Sequence, residues 1–199
     1  MRNPTAKFLT AIFLLATSSA AFAHPGHNVS GFAAGLMHPL SGLDHLLAMV
    51  AVGLWAAQSS RNNRGGGRKI WLLPATFMTM LAVGAGAAMQ WQTLPIVESG
   101  IAVSVLALGL LVALSLQLPA SLSAAITALF GLLHGYAHGL ELPESAAPAA
   151  YALGFLAATA TLHLSGIAAG IAMRKRYALL SRLLGGAIAM SGAYLLASA

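Results

Sequence analysis

The chain has 199 residues, of which 58% are hydrophobic and 7% are charged, and its formal net charge is +6 at pH 7. This composition excludes a water-soluble domain with a solvated surface and is typical of a protein that crosses a bilayer several times. The positive charge does not indicate a nucleic-acid partner, because eight of the ten basic residues lie in two short clusters, within residues 61–69 and 174–182, as in the loops of membrane proteins.

Residues 1–23 have the features of a secretory signal peptide that is removed from the mature protein. Two basic residues precede a short apolar run, and Ala21-Phe22-Ala23 is an Ala-x-Ala cleavage site. The alternative is an uncleaved first span, but the run is short for the roughly 20 residues that cross a bilayer. The mature chain then begins at His24, and His24 with His27 either captures metal outside the membrane or has no ligand role.

The apolar stretches of the remaining segment, residues 24–199, predict one all-α membrane domain with six spanning helices. The predicted spans cover residues 29–58, 70–90, 96–117, 121–140, 148–173 and 183–198. An exported N-terminus and the positive-inside rule each place both basic clusters on the cytoplasmic side. We therefore expect a protein of the bacterial inner membrane whose mature N- and C-termini are periplasmic.

Small residues recur in the spans, as in the pair Gly166-xxx-Gly170, and indicate close helix packing. Two segments also echo each other in sequence. Gly35-Leu-Met-His38 is followed by Gly42-Leu-Asp44, and Gly131-Leu-Leu-His134 is followed by Gly139-Leu-Glu141. An inverted 3+3 repeat would explain the echo and would place a site at the interface of the repeats, although chance explains the match about as well.

The first span contains three ionisable residues, His38, Asp44 and His45, within an otherwise apolar sequence. Such groups are costly in lipid, so they indicate an ion or substrate pathway. On a regular helix the two histidines share a face but lie about 10 Å apart along the axis. They are then successive stations on a path, unless a bend at Pro39 brings them together. Asp44 either orients a histidine or pairs with a polar group on a neighbouring helix.

The fourth span ends with His134 and His138, which are spaced i, i+4 and project from one face within about 6 Å of each other. This is the best spacing for metal chelation in the chain, since two imidazoles at that separation can bind one cation. Glu141 follows on the same stripe. It either gathers cations or is an ordinary loop carboxylate.

His163 is the one histidine of the fifth span, and its sequence context is weaker. It either hydrogen-bonds to a neighbouring hydroxyl such as that of Thr161 or Ser165, or it joins the metal pathway. Cysteine is absent from the chain, so any metal site is built from nitrogen and oxygen donors, with methionine as the only sulfur.

Two elements of the sequence resemble the HupE/UreJ family of nickel permeases. They are His38-Pro-Leu-Ser-Gly-Leu-Asp44-His45-Leu-Leu-Ala-Met, which continues to Gly-Leu-Trp55, and Phe130-Gly-Leu-Leu-His134-Gly-Tyr-Ala-His138-Gly-Leu-Glu141. The resemblance extends over essentially the whole mature chain and includes the leader. It implies a functional link to nickel supply for hydrogenase or urease, with some relatives linked to cobalt. It also implies that the polar residues of both elements belong to the family's motifs.

These observations predict a permease that moves Ni²⁺, with Co²⁺ as the alternative ion, from periplasm to cytoplasm, with no permanently bound cofactor. Its partners are the divalent ion and the lipid bilayer. The sequence contains no nucleotide-binding motif such as a Walker A sequence, so we expect a gradient or downstream consumption to drive transport. Two alternatives use the same ligands: an intramembrane zinc hydrolase, and a metal-binding accessory or sensor protein that transports nothing.

Overall fold

The computed structural model describes residues 31–60, 70–90, 96–141, 147–174 and 177–198, and the regular secondary structure in these ranges is helical. The helices are α1 (Gly31–Ser41), α2 (Leu43–Ser59), α3 (Leu72–Ala88), α4 (Ile96–Ala113), α5 (Ala120–Leu140), α6 (Pro148–Ala172) and α7 (Ala178–Ser198). The expected signal peptide, His24, His27 and most of the two basic clusters lie outside the described residues, so the expectations about them stay predictions.

Four of these helices, α4 to α7, are long and apolar enough to cross a membrane. The pair α1 and α2 passes the same test when its members are counted as one broken span, which brings the number to five. Helix α3 is apolar but has 17 residues, which corresponds to about 25 Å of rise against a hydrocarbon core of about 30 Å. The all-helical membrane class is confirmed, whereas the count of six spans stays a prediction.

The first predicted span, 29–58, is not one continuous helix, so of the two possibilities left open by the sequence the bend is the one observed. The chain bends by 80° between α1 and α2. Gly42 lies at the break with φ −90° and ψ 119°, which is an extended conformation. The break is therefore at Gly42 and not at Pro39, which is buried within the regular part of α1.

Helix α2 is the central helix of the bundle. It buries ten of its residues, including the whole side chain of Trp55, and it packs against α3, α4 and α6. The indole nitrogen of Trp55 donates a hydrogen bond to the carbonyl of Leu116 (3.1 Å). Large apolar side chains on the outer helices, such as Met190 and Leu153, are exposed instead. This pattern fits a bundle whose outer surface contacts lipid tails.

Glycines allow the helices to cross at close distance. A Cβ on Gly135 of α5 would collide with the backbone carbonyl of Leu81 in α3, and one on Gly154 of α6 would collide with that of Phe32 in α1. Gly166, of the predicted Gly166-xxx-Gly170 pair, lies against the backbone of α2 in the same way. The expectation of close packing at these small residues is confirmed.

The two ends of the bundle carry opposite charge. Asp44 and Glu141 lie at what we call the acidic end, near the start of α2 and the end of α5. Arg174 and Arg182 lie at the opposite, basic end, where Arg174 donates hydrogen bonds to the carbonyl of Ala57 (2.9 Å) and to the hydroxyl of Ser60 (2.6 Å). The break at Gly42 and the helix crossings therefore determine which side chains meet at the acidic end.

Candidate metal-binding site

Three side chains from distant parts of the sequence meet at the acidic end. His38 Nε2, His138 Nδ1 and Glu141 Oε2 lie 2.9 Å from one another along all three edges of a triangle. When both histidines donate to the carboxylate, His38 Nε2 and His138 Nδ1 both carry a proton, so neither can accept a hydrogen bond from the other. Three donor atoms 2.9 Å apart can instead form one face of an octahedron around a cation about 2.1 Å from each. The triangle can therefore hold a metal ion. Among the described residues, these three are the group of His, Asp or Glu side chains whose ligand atoms lie close enough together to bind one ion.

The local fold explains how this triangle forms. His38 lies in the last turn of α1 and His138 in the last turn of α5. Glu141 caps the end of α5, where its backbone N–H donates to the carbonyl of His138 (3.2 Å). Because the close contact at Gly154 fixes α1 against α6, the 80° break brings the His38 ring into edge contact with the His138 ring, with 4.8 Å between centroids.

Asp44 orients His45 and does not reach a neighbouring helix in the hydrogen bonds that the structure records. Its Oδ1 accepts from the backbone N–H of His45 (2.8 Å) and from the ring Nδ1–H of the same residue (2.9 Å). This pairing fixes the tautomer, so Nε2 of His45 remains free to bind a metal. That nitrogen is buried and makes no hydrogen bond.

His45 contacts two further histidines. Its ring centroid lies 3.7 Å from that of His138 and 4.8 Å from that of His134. His45 and His38, expected about 10 Å apart on a straight helix, therefore both contact His138. The His134 and His138 pair is not a self-contained chelate, because the ring of His45 packs against both members.

His134 lies deepest in this group and is fully buried. Its Nδ1–H donates to the carbonyl of Phe130 one turn earlier (3.0 Å), while its Nε2 makes no hydrogen bond. The Nε2 atoms of His45 and His138 are unpaired in the same way. An unsatisfied buried polar atom costs about 1–3 kcal/mol, so three in one cluster favour a ligand that uses them.

A cavity of about 190 Å³ opens over the triangle at the acidic end. Its walls include Asp44, Glu98 and Glu141, which are three of the four acidic residues in the chain, and none of the described residues that line it is a lysine or an arginine. The side chain of Glu141 is 50% exposed, and its hydrogen bonds to His138 and His38 hold the pKa of this carboxyl well below its usual range. The cavity is therefore a negatively charged mouth that leads to the imidazoles.

Glu98 is a residue that the sequence reasoning missed as a site candidate. It lies in the first turn of α4 and is exposed to the cavity. The signal was present in the sequence, because Glu98 is the one acid within the apolar third span.

His163 lies apart from the triangle, near the middle of α6. Its side chain is 1% exposed, and its ring contacts Phe77 of α3 with 5.3 Å between centroids. Of the two alternatives for His163, the hydrogen bond to Thr161 or Ser165 is not formed, because neither ring nitrogen has a hydrogen-bond partner. Both hydroxyls donate to backbone carbonyls of their own helix, at Ala157 and Leu162.

The chain is similar to known proteins along almost its whole length. The family model described as "HupE / UreJ protein" matches residues 12–195 of the chain. The curated relative "Protein HupE" from Rhizobium leguminosarum bv. viciae is 42% identical over 191 residues, which cover 96% of this chain and 97% of that protein. No solved structure gives a significant match.

Proposed function

The chain belongs to the HupE/UreJ family, and from this premise we propose that it is a permease that takes Ni²⁺, or Co²⁺, from the periplasm into the cytoplasm. The observation that carries the proposal is the triangle of His38, His138 and Glu141, which lies beneath an acidic mouth and continues inward through two more histidines. In this proposal the ion is cargo and not a resident cofactor.

The donor set favours divalent ions of borderline softness. Imidazole nitrogens with a carboxylate oxygen suit Ni²⁺, Co²⁺ and Zn²⁺, whereas thiolates, which would favour Cu⁺, are absent because the chain has no cysteine. The exposed position of Glu141 supports moderate affinity, since a charged ligand half open to water binds less tightly than a buried one. Moderate affinity suits a permease, because an ion that cannot leave its site is not transported.

The membrane potential supplies a driving force that needs no nucleotide. Moving one elementary charge across 100 mV is worth about 2.3 kcal/mol, so a divalent cation gains roughly 4.6 kcal/mol on passing to a negative interior. The acidic mouth adds a local increase in cation concentration at the outer end.

The proposal includes six spans with periplasmic termini after a cleaved signal peptide in the inner membrane. Helix pairing supports the inverted 3+3 repeat within it. Helix α2 of span one packs against α6 of span five, and α3 of span two packs against α5 of span four. A 3+3 repeat relates span one to span four and span two to span five, so it converts the first of these pairs into the second. The echoing glycines follow the same relation, because Gly35 packs on α6 and Gly131 packs on α3.

The proposed cellular role is supply of nickel to an enzyme such as hydrogenase or urease. The HupE/UreJ family is associated with nickel and cobalt uptake for these enzymes. The direction of transport, from the acidic to the basic end, is consistent with such a role because the consuming enzyme then removes the ion inside the cell.

Radioactive nickel uptake by cells that lack other nickel importers tests the proposal. The wild-type chain is expected to accumulate nickel, and His45→Ala and His134→Ala are expected to abolish accumulation while the protein is still present in the membrane. Unchanged accumulation in either variant contradicts the site. A wild-type protein that binds nickel after purification but accumulates none in cells would be a metal-binding accessory and not a permease.

A further inference from the structure

His163 is a buried imidazole that the outer site does not use. Its side chain is 1% exposed, and neither ring nitrogen makes a hydrogen bond of ordinary length and angle. The ring also lies close to the backbone of Thr159, one turn earlier on α6, without forming a hydrogen bond of that kind. An imidazole without a well-formed hydrogen bond inside a membrane bundle is costly, so its presence favours a ligand.

Phe77 lies between this histidine and the outer group. Its ring contacts His134 with 5.5 Å between centroids and His163 with 5.3 Å, and its side chain is fully buried. A continuous row of rings therefore runs from His38 through His138, His45 and His134 to Phe77 and His163. Phe77 is the one member of this row without a metal-binding atom.

The row also runs inward through the bundle. His138 lies two residues before the end of α5 at the acidic end, and His134 lies about 6 Å deeper. His163 lies fifteen residues after Pro148, which places it about 22 Å along α6 from the same end. Next to it, Gly53 of α2 packs directly against the His163 carbonyl, so the two helices cross closely at this depth.

We propose that His163 is an inner metal-binding station for the transported divalent cation, and that the ring of Phe77 separates it from the outer site. The inference rests on the permease function proposed above. An ion bound by the outer histidines passes to His163 when the Phe77 ring turns aside. A single imidazole then holds the ion weakly enough for onward release to the basic end.

The test separates binding at the outer site from passage through the bundle. The His163→Phe variant keeps an aromatic ring of similar size but has no donor atom. Its purified form, in detergent, is titrated with Ni²⁺ alone, and its cellular uptake is measured with radioactive nickel. We expect an affinity within about twofold of the wild type and uptake reduced by at least about tenfold. Thr161→Val is the matched control on the same helix, because its hydroxyl bonds only within α6, and it is expected to retain full uptake.

Each other outcome is decisive. Normal uptake by His163→Phe overturns the inner station but leaves the permease proposal intact. Loss of nickel binding in this variant also overturns it, because His163 would then support the outer site by packing and not as a station. If the wild type itself accumulates no nickel, the permease function fails, and the inner station fails with it.

Discussion

Asp44 acts on metal binding through His45, and replacing it gives a graded test of the site geometry. Its Oδ1 holds both the backbone N–H and the ring Nδ1–H of His45. Asp44→Ala removes a charge-assisted hydrogen bond worth about 1.5–3 kcal/mol. This converts to a loss of roughly 10- to 150-fold in nickel affinity, which overlaps the range of about 10- to 100-fold for groups that orient metal-binding histidines. Asp44→Asn keeps an acceptor oxygen but loses the charge, so we expect a loss of about three- to tenfold.

Calorimetric titration of the purified variants with Ni²⁺ measures these affinities, and radioactive uptake measures the effect on transport. Glu144→Ala is the control, because Glu144 is the acid that follows Glu141 in the predicted loop outside the spans, and it is expected to retain binding and uptake. If Asp44→Ala binds nickel within about twofold of the wild type, Asp44 does not act on the metal through His45. The same conclusion follows if Asp44→Asn is more severely impaired than Asp44→Ala.

Two further substitutions test the packing and the charge of the acidic end. Gly135→Ala is expected to destabilise the protein by about 1–3 kcal/mol, because its Cβ would meet the Leu81 carbonyl, whereas Gly186→Ala has open space around it and is expected to be neutral. Thermal unfolding in detergent measures both, and equal melting temperatures would contradict the close crossing. For Glu141, whose pKa is lowered from 4.5 by its histidine partners, the stabilising contacts are complete above pH 4.5 and weaken only as pH falls further. In metal-free buffer the wild type should therefore stay more stable than Glu141→Gln between pH 7 and pH 4.5. If the difference in stability between the two proteins has disappeared by about pH 6, the group that titrates is not Glu141.

The sequence predicts the helices well where apolar length alone determines them. The span expected at 121–140 is α5 (Ala120–Leu140), and that at 148–173 is α6 (Pro148–Ala172). The break at Gly42 is harder to predict, because Pro39 is the stronger local signal for a bend. The position of the break depends on distant contacts, since Gly154 fixes α1 against α6.

The candidate site shows the same limit. Spacing along one helix identified His134 and His138 as partners, because sequence periodicity reports contacts within a helix. The triangle instead joins His38 to His138 and Glu141, which are 100 and 103 residues further along the chain. Such contacts depend on how α1 and α5 pack in the bundle, so the residue types were predictable while their grouping was not.

The break at Gly42 also has an electrostatic consequence for the cation site. It creates a helix start at Leu43, and the N-cap residue, Gly42, has no side chain to cap this end of α2. The aligned peptide dipoles give such a terminus about half a positive charge, which repels a cation beside it. Asp44, in the first turn of α2, supplies the negative charge that offsets this terminus. A bend that brings the imidazoles together thus requires an acid immediately after it, and the order Gly-Leu-Asp-His meets that requirement within four residues.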